Sequence, residues 1–137
     1  MAAADPKHGT RIKDRDALTR ARHAGDECAA CGRPPSNVHH FVPKAAPWLG
    51  DDVDANLLLL CGTGTMGCHG ALHGSPYTDH DGQRWTMAET AAAVGRHVYE
   101  HRPDTVEYTL THLGWSAGRE FLRRHYSLVL PDDYAAA

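Results

Sequence analysis

Residues 54–74 read DANLLLLCGTGTMGCHGALHG. Ala55–Cys61, with Asn56 at its start, reads as a short, mostly buried strand carried by the unbroken apolar run Leu57–Leu60. It leads into the glycine-rich loop GTGTMG, and CHGALHG then opens a short helix. On that helix His69 and His73 are four residues apart, so they lie one above the other on one face. This is the spacing at which two imidazoles can grip one divalent ion. Cys68 precedes His69 by one residue, about 100° around the helix, and so can face a different site.

Upstream, NVHHFVP (Asn37–Pro43) predicts a second short strand and KAAPWLGDDVD (Lys44–Asp54) a loop. Before them, ECAACGRPP is a tight turn carrying C-x2-C at Cys28 and Cys31. With C-x6-C at Cys61 and Cys68, it completes a set of four cysteines. MAAADPKHGTRIKDRD has no apolar run behind its charges and does not read as a signal peptide. The expectation is a soluble, cytoplasmic protein with no membrane partner, where four cysteines favour a structural zinc site over two disulfides.

The chain of 137 residues, 42% hydrophobic, is expected to form a single domain over 1–137. Met1–Gly9 reads as a loose tail. A helix is expected from Asp14 or Asp16 to Ala24, with Gly25 as its stop. The C-terminal half reads as helical. Thr86–Glu89 is a capping box for a helix through about Tyr99. Val106, Leu110 and Leu113 share one face of a second helix ending at Gly114, and Ser116 is an N-cap candidate for a third. SLVLP suggests a short closing strand, and Gly74–Arg84 is the nearest thing to a boundary.

Taken in order, "VHHFVP", "DANLLLLCGTGTMGCHG" and "ALH", framed by the cysteines, resemble the HNH (His-Asn-His) endonucleases, most closely the phage-type branch. The resemblance covers about Cys28–His73. It implies an α+β fold: a ββα-metal core with zinc knuckles over about residues 26–75, followed by a helical extension over about 84–130. It also implies hydrolysis of DNA phosphodiester bonds, by nicking or double-strand cleavage, with a divalent cation such as Mg²⁺ or Mn²⁺. His40 would be the general base, since imidazole titrates near neutral pH, and His39, His69 and His73 would hold the cation. Asn56 would bond the backbone of the intervening loop and orient His40, although in some branches the matching Asn reaches the metal. Cys28, Cys31, Cys61 and Cys68 would close a structural zinc site. Relatives of this type suggest a setting in the bacterial or phage-infected cell, with terminase or other packaging proteins as partners, or mobile-element and restriction roles.

Charge tempers the expectation of DNA as partner. The net charge is -3 and the pI about 6.4, whereas nucleic-acid binders are usually basic. Asp51, Asp52 and Asp54 would repel DNA unless they face away or help bind metal, and Phe41 follows the paired histidines where the branch often has a basic residue. Lys44 and the locally basic stretches Arg11–His23 and Gly118–His125, with Arg119, Arg123 and Arg124, are the candidate phosphate contacts; ordinary solvated helix faces are the plainer reading. Trp48, Trp85 and Trp115 suit core or rim packing, and His97, His112 and His125 structural roles. His8, His80 and His101 suit the solvated surface. A rival Cys2His2 site from Cys28, Cys31, His69 and His73 would orphan Cys61 and Cys68. The alternative to a nuclease is a non-catalytic, zinc-bound DNA- or protein-binding module derived from one.

Overall fold

The computed structural model describes residues 11–134; the expected tail over Met1–Gly9, with His8, lies outside the described residues. The fold is mixed α+β, with two small antiparallel sheets and five helices among the described residues. Helix α1 (Arg15–Arg22) starts where Asp14 accepts from the amides of Asp16 and Ala17, satisfying two donors that the first turn leaves orphaned. Strands β1 (Asn37–His40) and β2 (Leu57–Leu60) pair antiparallel, with His39 opposite Leu58 and His40 opposite Leu57. All four leucines of β2 are buried, as the unbroken apolar run requires.

β1 is shorter than the sequence suggests. From Phe41 onward the backbone bonds instead to Asn56: Phe41 N–H donates to its carbonyl at 2.9 Å and Val42 N–H to its side chain at 2.7 Å. Asn56 belongs to a 3₁₀ turn, Asp54–Asn56, just before β2 rather than to the strand's first position. Helix α2 (Gly67–Leu72) follows the glycine-rich loop, and His73 is its C-cap. The loop folds back so closely that a Cβ at Gly62, where φ is +85°, would run into the Met66 carbonyl.

The stretch read as a boundary holds a hairpin, β3 (Tyr77–Thr78) with β4 (Arg84–Trp85). Strands of two residues carry no periodicity to read. Asp79 closes the turn, accepting from the Asp81 and Gln83 amides, the Trp85 indole and the Arg33 guanidinium. Helices α3 (Met87–His101), α4 (Pro103–Leu113) and α5 (Trp115–Tyr126) complete the chain. Thr86 caps α3 by accepting from the Glu89 amide at 3.2 Å. Ser116 does not cap α5: the helix begins one residue earlier, after Gly114 with φ +92°, and has no side-chain cap. SLVLP is not a strand. Leu128 and Leu130 are buried and Val129 is exposed, an alternation suited to a strand, but among the described residues no strand pairs with it.

One continuous cluster of buried side chains runs through the whole molecule. It joins Phe41, Val42, Leu58 and Leu60 to Val94, Val98, Val106, Leu110, Phe121 and Leu122. The helical half therefore packs directly against the β1–β2 unit. Trp85 is buried, Trp48 packs edge-on against Phe121 and His125, and Trp115 is exposed. No helix among the described residues is long and apolar enough to cross a membrane.

Candidate functional site

Cys28 and Cys31 sit in the turn before β1, Cys61 directly follows β2, and Cys68 lies in the first turn of α2. Their sulfurs all lie within 4.8 Å of one another, with Cys31 and Cys61 Sγ 3.6 Å apart. A tetrahedron with Zn–S arms of about 2.3 Å has edges of about 3.8 Å, so the set could hold a structural metal such as zinc. The four cysteines are free thiols. The local chemistry suits a cation. Cys28 is pulled down to about 4, chiefly by the Cys68 thiol and also by nearby amides, against the effect of burial. Burial pushes Cys31 up to about 11. Cys68 is driven up, first by its bond to Cys28 and then by burial. The Cys68 amide donates to Cys61 Sγ at 3.4 Å, and the Tyr77 hydroxyl lies 3.2 Å from Cys68 Sγ. Tyr77, supplied by the hairpin, had no signal in the sequence.

The rival Cys2His2 set does not assemble: among the described residues, the four cysteines are the one group of three or more potential ligands that closes this tightly. His39, His69 and His73 stand more loosely. Ring centroids are 4.8 Å apart for His69 and His73, and 6.3 Å for His39 and His73. His69 Nδ1 is buried without a hydrogen-bond partner, an orphan acceptor or donor that normally costs stability. Burial first, then the neighbouring rings of His73, His40 and His69, push His39 down to about 3. Burial and His69 likewise lower His73. Neutral imidazole is the form that ligates metals, and His39 and His73 are held in it, but the three rings do not close into a ligand group as the cysteines do.

His40 points its Nε2 at Asp52 Oδ1, 2.7 Å away. Burial pushes the Asp52 carboxyl up, but bonds from His40 and the Asp14 amide, with the Arg11 guanidinium, hold it below its usual range. An ionised Asp52 only accepts, so neutral His40 carries its proton on Nε2 and leaves Nδ1 basic. Arg11 is thus spent on Asp52, at 3.0 and 3.2 Å, and not on the surface. The other loop acids are also engaged. Asp51 accepts from the Ile12 amide and the Tyr108 hydroxyl, and Asp54 lies 3.5 Å from Arg20. His112 is structural: its ring bonds the Trp48 carbonyl at 2.8 Å.

Asn56 is fully buried and acts on backbone: besides accepting from Val42 N–H, its amide donates to the carbonyls of Val42 and Asp51, each at 3.1 Å. It ties both ends of the Val42–Asp51 loop that carries Asp52 to His40. Nothing places it among the ligating side chains.

His39, His40, His69 and His73 line one cleft of about 430 Å³, together with Lys44 and Arg22. A second cleft of similar size shares His39, Pro43 and His73, and adds Arg124 and His125. Arg119 lines neither; its guanidinium donates to the Leu130 and Pro131 carbonyls. Arg123 pairs with Glu120. The chain matches no protein-family model, no curated protein and no solved structure.

Proposed function

We propose that this chain is a metal-dependent HNH-type endonuclease hydrolysing DNA phosphodiester bonds, with β1, β2 and α2 as its ββα-metal unit. The observation that carries the reading is the single cleft lined by His39, His40, His69 and His73 with two cations, Lys44 and Arg22, at its edge. A divalent cation there, Mg²⁺ or Mn²⁺, would polarise the scissile phosphate and stabilise the leaving oxygen. The protein's own contribution is proton management and position. His40 Nδ1 takes a proton from the attacking water, and Asp52 across Nε2 steadies the imidazolium that results. Asn56 holds the loop that brings Asp52 to His40. The four cysteines tie the unit together around structural zinc and leave the chemistry to the histidines.

A second reading is a zinc-bound, non-catalytic DNA- or protein-binding module derived from a nuclease. It is favoured by one contrast: the cysteine cluster closes while the three histidines do not, and a structural zinc alone accounts for the closed cluster. Nicking of supercoiled plasmid with added Mg²⁺ or Mn²⁺ separates the two. The nuclease reading requires cleavage that chelation stops and that His40→Ala removes. DNA or protein binding by a folded, zinc-loaded chain that cuts nothing would establish the second.

A further inference from the structure

The helical extension supplies no member of the proposed hydrolytic set, yet one of its side chains reaches that set. Tyr126, the last residue of α5, places its buried hydroxyl 3.0 Å from His39 Nε2 and 2.8 Å from the Phe41 carbonyl. A phenol has one proton. A carbonyl only accepts, so that proton belongs to Phe41. The hydroxyl oxygen is then the acceptor for His39, whose own proton must sit on Nε2. Nδ1 is left bare, and a neutral imidazole ligates through its bare nitrogen, chosen by the bond that the other nitrogen makes.

We propose that Tyr126 is a positioning residue for the cation site: it fixes His39 as the Nε2–H tautomer and makes Nδ1 its ligand atom. This rests on the histidine-bound cation of the proposed function. The hydroxyl is held where it is by packing from three directions. The Tyr126 ring stacks on Phe41, with centroids 4.0 Å apart and planes 13° off parallel, and Phe121 packs at 5.8 Å. On the third side, Gly95 of α3 lies against the Tyr126 carbonyl so closely that a Cβ there would clash. The link spans 87 residues of sequence, so it makes the cation site depend on the packing of α3 and α5. A merely structural tyrosine would change stability and leave ion affinity alone.

The test uses the full chain with its structural zinc, ¹⁵N-labelled at histidine. Long-range ¹H–¹⁵N spectra of the wild type should show His39 protonated on Nε2. Tyr126→Phe keeps the ring and removes the acceptor. It should weaken Mn²⁺ binding, read as free Mn²⁺ by EPR, by roughly 10–100-fold, with zinc content unchanged. Val106→Ala truncates a buried side chain of α4 that is none of the three contacts holding Tyr126; it should lower stability and keep wild-type Mn²⁺ affinity. The proposal is overturned if His39 carries its proton on Nδ1, a result that stands even if Tyr126→Phe does not fold. It is overturned alone if the wild type and Tyr126→Phe bind Mn²⁺ equally, or if Val106→Ala weakens binding as much. A wild type that binds no Mn²⁺ at its histidines overturns the nuclease reading with it.

Discussion

His40 and His39 are neighbours on one strand, and their partners give them different work. His40 faces a carboxylate that Arg11 and a backbone amide keep ionised; His39 faces a phenol. Replacing His40 by Ala should leave the circular dichroism spectrum and zinc content intact while plasmid nicking falls by roughly 10²–10⁴-fold; near-normal nicking by the folded variant would remove His40 from the mechanism. His39 makes a second prediction through pH. Its folded value is near 3 and its unfolded value about 6.5. Below pH 6.5 the unfolded chain therefore takes up a proton that the folded chain refuses, and stability falls as pH falls. Between pH 7 and pH 5 this one residue should cost about 2 kcal/mol. Urea unfolding of wild type and His39→Gln, both zinc-loaded and without other divalent ions, should show their difference shifting by that amount; a constant difference would mean that His39 titrates normally. At this scale the sequence is legible wherever spacing is local. The histidine pair, the i,i+4 histidines and the cysteine set could all be read, while Asn56 as a loop-bonding residue came from the family resemblance and not from spacing. Asp52, Tyr126 and Tyr77 could not, because each meets its partner only after a loop or a helix from elsewhere has packed.

Among the elements, the cysteine knuckles bind together pieces with little core of their own. Strands β1 and β2 have four residues each and α2 has six, too short for a helix or hairpin to persist alone in water. Metal binding at the cysteines is then folding free energy for this unit. Cys61→Ser should lose its zinc, and the β1–β2–α2 unit should lose protection from amide exchange. His73→Ala should keep one tightly held zinc by elemental analysis, because its ring is not part of the cysteine cluster. The reverse pattern would restore the Cys2His2 arrangement. The elements that could be read in advance are those with a cap or a strong period: α1 behind Asp14, β2 from its leucines, and α3 behind Thr86. The β3–β4 hairpin could not be read, since it is held by the side-chain bonds of Asp79 and not by apolar alternation. The start of α5 was misplaced for a related reason. Gly114 turns the chain at positive φ, so Ser116 falls inside the helix.

At the scale of the whole molecule, a net charge of -3 has to be reconciled with the polyanionic substrate of the proposed function. Two of the three loop acids that would oppose DNA are engaged within the fold, Asp52 by Arg11 and His40 and Asp51 by hydrogen bonds from Ile12 and Tyr108, while Asp54 stays exposed beside Arg20. The same packing spends cations that the sequence offered as phosphate contacts. Arg11 goes to Asp52, Arg119 to the Leu130 and Pro131 carbonyls, and Arg123 to Glu120. Sequence composition could show that two segments are basic, but not which of their cations remain available, because Arg11 and Arg119 meet their partners only after the loop before β2 and the segment after α5 have packed. The cations beside the histidines are Arg22 and Lys44 on one cleft and, on the other, Arg124, which also lies 4.0 Å from Glu120, and the two clefts meet at His39, Pro43 and His73. A phosphate backbone lying across that junction would touch all three. Each phosphate neutralised releases counterions and steepens the fall of affinity with salt, by roughly 0.7–0.9 in the log–log slope. Replacing Arg22, Lys44 and Arg124 together by Ala should therefore reduce the slope by about 2–3, as measured by fluorescence anisotropy of labelled DNA across a salt series. Replacing Arg123 by Ala should leave the slope unchanged, and Arg119→Ala should lower stability through its lost carbonyl bonds without changing the slope. If the Arg123 and Arg119 variants flatten the salt dependence while the triple variant does not, the DNA path runs over the outer face of α5 and not across the histidine clefts.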